Sequence, residues 1–243
     1  MKLGIRSPAA ARARAWRAVI AAAAAAALFA APPAARGQGE DKDEGVFFFG
    51  FNAAAGPFRG DFDGGLSLWH FEKVFAVPVL PGDVSLGLSF GRKSATGLWE
   101  VVYLQASKNG MWQGRDLGVT LSSLEIRGRA WMFKNSPVRP VFFLGFGFPV
   151  LRVAEGARMG GSVETALFTG GQLVLGAGVM AELGPRLFLS AGAGYRALWF
   201  LYTFGGGKGR DVSKLTPEYG GEFFGRPLAA SRLGLEISLG ILL

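Results

Sequence analysis

The chain contains no cysteine, and histidine occurs only once, at position 70, among its 243 residues. The lack of cysteine excludes disulfide scaffolds and thiolate metal sites. A single histidine cannot supply a typical zinc ligand set. After residue 37 there is also no unbroken apolar run of about 20 residues, the length that an α-helix needs to cross a bilayer. The sequence therefore predicts neither a helical membrane protein nor a metal or organic cofactor.

Basic residues are concentrated at the start of the chain. The formal net charge is +8, but six basic residues and no acidic residue lie within the first 37 positions. The remainder holds 20 basic and 18 acidic residues, a net charge of +2. Because a nucleic-acid surface needs clustered positive charge, nucleic-acid binding is not predicted.

The first 37 residues have the order of a secretory signal peptide. A basic segment, 1–17, precedes an Ala-rich apolar core, 18–31, which is too short for a membrane anchor. Ala35-Arg36-Gly37 fits a small-x-small cleavage site, and Leu28-Phe29-Ala30 is an alternative, so cleavage is predicted between residues 30 and 37. The polar segment 38–45 that follows is predicted to be disordered.

From residue 46 onward, large apolar and small residues alternate along short segments. At the C terminus the large aliphatic residues are Leu233, Leu235, Ile237, Leu239, Ile241 and Leu243. A period of two is that of a β-strand. The same alternation recurs along the chain and gives eight predicted strands, 46–55, 83–92, 98–107, 118–133, 140–153, 172–183, 186–201 and 232–243.

Glycine and serine fall repeatedly on the face opposite the large apolar residues. Since glycine weakens a strand interior unless close packing requires it, this face is predicted to line a narrow barrel. The large residues then face lipid, and short connections alternate with long ones. The predicted fold is all-β, a transmembrane antiparallel up-and-down β-barrel of eight strands over residues 46–243. A soluble calycin-like barrel would have its large residues inside.

Residues 66–79 are also partly strand-like, although Pro78 and Pro81 argue against a central strand. We interpret this segment as an extension of barrel strands into the first long connection. A ten-stranded barrel with one further strand is the alternative, because bacterial barrels normally have an even number of strands.

The alternation also assigns charges to the interior and aromatic residues to the membrane boundaries. Charges in a narrow interior must pair or reach water, and some of these residues alternatively lie at the barrel ends. The predicted interior charges are Glu100, Glu125, Arg127, Arg129, Glu182, Arg196 and Glu236. The predicted interface aromatics are Trp99, Tyr103, Tyr195 and Trp199.

The leader, the alternating C-terminal strand and two glycine-alternating segments together resemble the small outer-membrane β-barrel superfamily, of the OmpA transmembrane-domain and OmpX type. These segments are Leu144-Gly145-Phe146-Gly147-Phe148 and Ala191-Gly192-Ala193-Gly194-Tyr195, and the resemblance covers about residues 45–243. It implies the outer membrane of a Gram-negative bacterium, reached by signal-peptide export. The implied partners are outer-membrane lipid, lipopolysaccharide, periplasmic chaperones and the barrel-assembly machinery. Leu243 departs from the family's usual terminal Phe or Trp, which that machinery reads.

Family members include tethers, adhesins, small-molecule conduits and a few lipid-modifying enzymes. Such enzymes use a histidine near the outer surface, and here His70 has Ser67 and Glu72 nearby in sequence. A nucleophile and its base must be in hydrogen-bond contact, and an exposed loop histidine is the other interpretation. The sequence predicts no catalytic residue and no enzyme.

Two further motifs lie in predicted connections. Arg59-Gly60-Asp61 spells an integrin-binding tripeptide, but Gly-Asp is also ordinary turn chemistry. The glycine-rich stretch 205–210 lacks P-loop spacing, although Lys208, Arg210 and Lys214 are candidates for contact with lipopolysaccharide phosphates. The leading functional prediction is a structural or surface-interaction barrel with a plugged lumen. The alternatives are a small pore or apolar-ligand conduit and, third, a lipid-A-modifying enzyme.

Overall fold

The computed structural model describes residues 45–62, 67–70, 73–76, 78–81, 84–112, 115–133, 136–155, 165–205, 208–217 and 225–243. The predicted signal peptide and nearly all of the polar segment after it lie outside these ranges. The strands are β1 (Val46–Ala55), β2 (Phe58–Gly60), β3 (Ser67–His70), β4 (Lys73–Ala76), β5 (Ser85–Lys93), β6 (Gly97–Trp112), β7 (Arg115–Trp131), β8 (Val138–Glu155), β9 (Thr165–Glu182), β10 (Leu187–Gly205), β11 (Lys208–Asp211), β12 (Thr216–Pro217) and β13 (Leu228–Leu242). None of the helices in these ranges has the length and hydropathy required to span a bilayer.

Eight of these strands form a closed antiparallel barrel. Strands β5 to β10 pair in chain order, β1 lies between β5 and β13, and β13 pairs with β10 to close the sheet. The short strand β2 continues β1 along β13, and β11 folds back on β10. The predicted fold class is therefore confirmed, and the ten-stranded alternative is wrong.

The register of the ladders fixes the stagger of the barrel. Starting at Phe49 in β1, successive paired residues lead once around the barrel and arrive at Arg59 in β2. Arg59 lies ten residues after Phe49, so the barrel has a stagger of ten residues. The paired residues between them are Phe90, Val101, Ile126, Phe146, Leu173, Ala197 and Ser231. Strand number and stagger together set the strand tilt and the barrel width. With eight strands the interior is just wide enough for side chains to fill it.

The alternation in the sequence corresponds to the outside and inside of this barrel. In β13, Leu233 and Leu235 are 69% and 62% exposed, whereas Glu236 and Ser238 are buried. Glycine provides the interior space that the larger groups need. A Cβ added at Gly194 would clash with Oε1 of Glu236. Large apolar residues outside and small or charged residues inside are the reverse of a soluble barrel.

The two ends of the barrel differ. The start of β1, the C terminus and the three short connections, β5 to β6, β7 to β8 and β9 to β10, lie at one end of the barrel, here called the lower end. The longer connections lie at the upper end. Strands β6 to β10 contain 16 to 19 residues. This exceeds the about 9–11 residues that a strand needs to cross a membrane.

Several upper-end segments differ from the expectations. Residues 108–112 and 115–117, expected in a connection, continue the β6–β7 ladder up to the pair Trp112 and Arg115. Strand β9 begins at Thr165, before its predicted start at residue 172. Residues 67–76 do not extend the barrel strands; β3 and β4 form a hairpin that joins β12 in a separate three-stranded sheet. Because β12 comes from the last upper connection, this pairing between distant parts of the chain has no local sequence signal.

Candidate functional site

A layer of charged side chains crosses the barrel interior between two apolar clusters. Six of the seven predicted interior charges lie buried in this charged layer, namely Glu100, Glu125, Arg127, Arg129, Arg196 and Glu236. Glu182 does not lie among them. It is the last residue of β9, at the lower end, where its partly exposed carboxylate pairs with Lys93 at 2.8 Å and with Arg139 at 3.4 Å.

Glu125 of β7 is the centre of the charged layer. Arg127 donates to its Oε2 from both Nε, at 2.6 Å, and Nη2. Its Oε1 accepts from Nε of Arg196 at 3.1 Å and from Nε2 of Gln172 at 2.6 Å. The hydroxyl of Ser123 also donates to Oε1, at 3.2 Å. This fully buried carboxylate is therefore bound by two guanidinium groups and two neutral donors, which offsets the cost of its burial.

Glu236 of β13 completes a four-charge group. Nη1 of Arg127 lies 2.9 Å from its Oε2, and Nη1 of Arg196 lies 2.6 Å from its Oε1. Arg127 and Arg196 thus each contact two carboxylates, those of Glu125 and Glu236. Because these four residues come from β7, β10 and β13, the group connects opposite walls of the barrel.

A second ion pair lies closer to the lower end. Nε of Arg129 donates to Oε1 of Glu100 at 2.6 Å. The remaining Arg129 nitrogens donate to the hydroxyls of Ser190 and Ser238, each at 3.1 Å. The guanidinium also lies 5.6 Å from the centroid of the Phe143 ring. This arginine is therefore satisfied by one carboxylate, two hydroxyls and an aromatic face.

Arg232 belongs to the same layer and was not among the predicted interior residues. It is 2% exposed and lies directly opposite Arg196 in the β10–β13 ladder. Its Nη1 donates to the Ser85 hydroxyl at 2.9 Å, and its guanidinium lies 5.3 Å from the centroid of the Phe58 ring. The predicted alternation began at Leu233. Extended by one position, it assigns Arg232 to the same face as Glu236.

An upper apolar cluster covers the charged layer on the side of the long connections. Phe62, Leu80, Val212 and Leu215 come from those connections and pack against Phe168 and Phe200 of the barrel wall, with Val119, Leu121, Leu151, Val153, Ala166, Leu198, Leu228 and Ala230. The Phe62 and Phe200 rings meet edge to face, with centroids 5.2 Å apart. The connections therefore supply an apolar cap for the barrel interior.

A lower apolar cluster covers the other side of the charged layer. It consists of Phe48, Leu98, Trp131, Val141, Phe143, Val174, Met180 and Phe188. Trp131 donates its ring N–H to the carbonyl of Ala95 in the first short turn, at 2.9 Å. In the described part of the barrel, the polar groups of the interior are thus bounded above and below by packed apolar side chains.

Asp61 of the Arg-Gly-Asp tripeptide holds two upper connections together. Both of its carboxylate oxygens accept from Arg226, at 2.6 and 2.7 Å, and one also accepts from the Ala229 N–H at 2.8 Å. Burial opposes ionisation of Asp61, but the hydrogen bonds from Arg226 and Ala229 outweigh it and hold its pKa below the usual value. The carboxylate that an integrin would use is therefore already bound within the chain.

The other sequence motifs are described only in part. Ser67 and His70 are the first and last residues of β3. Their side chains, and the whole of Glu72, lie outside the described residues, so the catalytic hypothesis stays a prediction. In the glycine-rich stretch, Lys208 begins β11, and Arg210 and Lys214 are exposed. No cluster of three or more His, Asp or Glu side chains suited to a metal occurs in the described ranges.

The four predicted interface aromatics lie on the outer surface. Trp99, Tyr103 and Tyr195 are exposed, and Trp199 is partly exposed. Trp99 is near the lower end of β6. The Tyr103 hydroxyl donates to Gln105 at 2.8 Å. At this level of β6, polar residues replace apolar ones on the outer face. Aromatic rings with polar tips are typical of membrane boundaries.

Comparisons with known proteins give similarity only at the level of structure. No protein-family model matches the chain, and no curated protein matches it. Neisserial surface protein A (NspA) is 16% identical, with a TM-score of 0.45 over 79% of this chain and 95% of its own.

Two further solved structures are similar. Ail, the attachment invasion locus protein of Yersinia pestis, solved with the heparin analogue sucrose octasulfate, is 15% identical, with a TM-score of 0.42 over 82% and 98% of the two chains. A major outer membrane protein from Thermus thermophilus is 12% identical, with a TM-score of 0.42 over 80% and 99%. The ladders of this chain, closed by β10 and β13, give it the architecture of the small eight-stranded outer-membrane β-barrels.

Proposed function

We propose that this protein is an outer-membrane β-barrel with a plugged interior, whose role is structural or depends on contacts made by its upper end. The observation that carries the proposal is the charged layer, which is paired internally and covered by an apolar cluster on each side. A conducting channel requires a continuous path for water and ions. This interior is instead suited to holding the barrel walls together.

The outer surface supports a membrane location. Exposed leucine and phenylalanine side chains surround the barrel, among them Leu88, Ile126, Phe146 and Leu235. Only lipid accommodates such a belt without a large unfavourable hydration cost. Export by the signal peptide would deliver the chain to the periplasm, where chaperones and the barrel-assembly machinery would receive it.

The barrel orientation then follows from the lengths of the connections. Outer-membrane barrels have short periplasmic turns and long outer loops, so the lower end faces the periplasm. Arg210 and Lys214 are exposed at the upper end. There we expect them to face the phosphates of lipopolysaccharide.

Conductance measurements in planar lipid bilayers test the plugged interior. We expect no steady conductance steps from the purified protein. Arg152, an exposed arginine of β8, provides the control. Conductance steps that change with Arg127→Gln but not with Arg152→Gln would show that ions pass through the interior. That outcome would favour the small-pore alternative over a structural barrel.

A further inference from the structure

The charges of the interior do not balance. The carboxylates of Glu100, Glu125 and Glu236 are matched by the guanidinium groups of Arg127, Arg129 and Arg196, each in an ion pair of this layer. Arg232 is the fourth buried guanidinium, and no carboxylate of the described chain lies within ion-pair distance of it. The layer therefore carries one uncompensated positive charge.

This excess charge faces a second arginine. Arg232 and Arg196 are directly paired residues of neighbouring strands, and both side chains are buried. Like charges directly opposite each other in a sheet are destabilising, and burial between apolar clusters removes the screening that water would give. Arg196 is already paired with Glu125 and Glu236, so the Arg232 guanidinium is the group that needs a further negative charge nearby.

The two arginines also have hydrogen-bond donors to spare. Nε and Nη2 of Arg232 and Nη2 of Arg196 have no acceptor in the described chain. Nη1 of Arg196 contacts Glu236 as an ion pair, without hydrogen-bond alignment. Buried polar groups in folded proteins are nearly always satisfied, by protein atoms, water or an ion. Several unused, charged donors on facing residues form a site that can bind a negatively charged acceptor.

We propose that the barrel interior binds a small inorganic anion of the halide class, chloride being the common example, between Arg196 and Arg232. The surroundings restrict its size. Leu198 and Ala230, the next inward residues on the same two strands, are buried in the upper cluster, and the Arg232 side chain lies close over Gly234. Because both ends of the interior are covered, the anion enters during folding and stays bound. This site goes beyond the proposed function and requires no conduction.

A halide that scatters anomalously tests the site directly. The full-length mature protein is refolded into detergent in sodium bromide and crystallised, and data are collected at the bromine absorption edge. We expect an anomalous peak between the guanidinium groups of Arg196 and Arg232. An ordered water molecule there, or no density, would overturn the proposal.

Stability in different salts is the second test. After refolding in sodium chloride, the thermal midpoint is expected to exceed that after refolding in sodium gluconate of equal ionic strength. At chloride concentrations about 100-fold above the dissociation constant, the expected shift is about 5–10 °C. Arg232→Met should abolish this difference, and Arg152→Met, the exposed control, should retain it. An equal chloride effect in native protein and Arg232→Met would refute the site.

Discussion

The most specific prediction from the charged layer is that Glu125 contributes strongly to stability. Glu125→Gln keeps the shape of the side chain and removes the charge shared by Arg127 and Arg196. Removing one partner of a buried ion pair costs about 3–5 kcal/mol, because the remaining charge is left buried. Both arginines retain Glu236, so we expect a loss near the lower limit, about 3 kcal/mol.

Glu182→Gln is the matched control for this substitution. Glu182 also pairs with two cations, Lys93 and Arg139, but it lies at the lower end and is partly exposed. Exposed ion pairs contribute about 0–1 kcal/mol, so the same chemical change should have a small effect there.

The free energy of unfolding is measured by urea titration in lipid vesicles, with tryptophan fluorescence as the signal. A double-mutant cycle of Glu125→Gln with Arg196→Met should give a coupling energy above about 0.5 kcal/mol, as expected for contacting charges. If Glu125→Gln and Glu182→Gln have equal effects, or if Glu125→Gln stabilises the protein, the reasoning from burial is refuted.

Three further predictions concern other parts of the barrel. Gly194→Val should destabilise the barrel, because its Cβ would displace the carboxylate of Glu236 from its arginine partners. Gly128→Ala, with no atom within 4 Å of the added Cβ, should fold normally. The folded fraction on unboiled gels distinguishes the two variants. Phe200→Ala should cost about 3–5 kcal/mol, measured by urea titration, because it leaves a cavity in the upper cluster. Since the folded-state pKa of Asp61 is lowered, its link to the last connection should persist at neutral pH and be lost as the pH falls below about 4. Amide exchange of Ala229 measures this loss, and Asp61→Asn should weaken its protection at neutral pH but not below about pH 4, where the native link is already lost. Protection that changes neither with pH nor with Asp61→Asn would contradict the assignment.

Much of the barrel wall could be predicted from sequence because large apolar residues on the outer face alternate with small or charged residues on the narrow inner face. In β8, Phe146 and Phe148 alternate with glycine in this way, and β1 was predicted with its observed bounds. The upper parts of β6 and β7 could not be predicted equally well. In those upper parts the outer face becomes polar, so the contrast between the two faces disappears.

The pairing of the interior charges could not be predicted without knowing the register of the strands. Arg129 pairs with Glu100 because β6 and β7 are neighbours, but Glu125 meets Arg196 across the barrel. That contact depends on the ten-residue stagger, for which a single strand contains no signal. The upper hairpin β3–β4 and its pairing with β12 likewise depend on contacts between distant connections.

Heat modifiability of the mature protein tests the central claim most directly. Cell envelopes are fractionated, and the outer-membrane fraction is analysed by gel electrophoresis with and without boiling. The account predicts that the protein is in this fraction and that its mobility changes on boiling, because a closed barrel resists detergent until it is heated. A soluble protein whose mobility is unchanged by boiling would contradict the assignment of the leucine and phenylalanine belt to lipid.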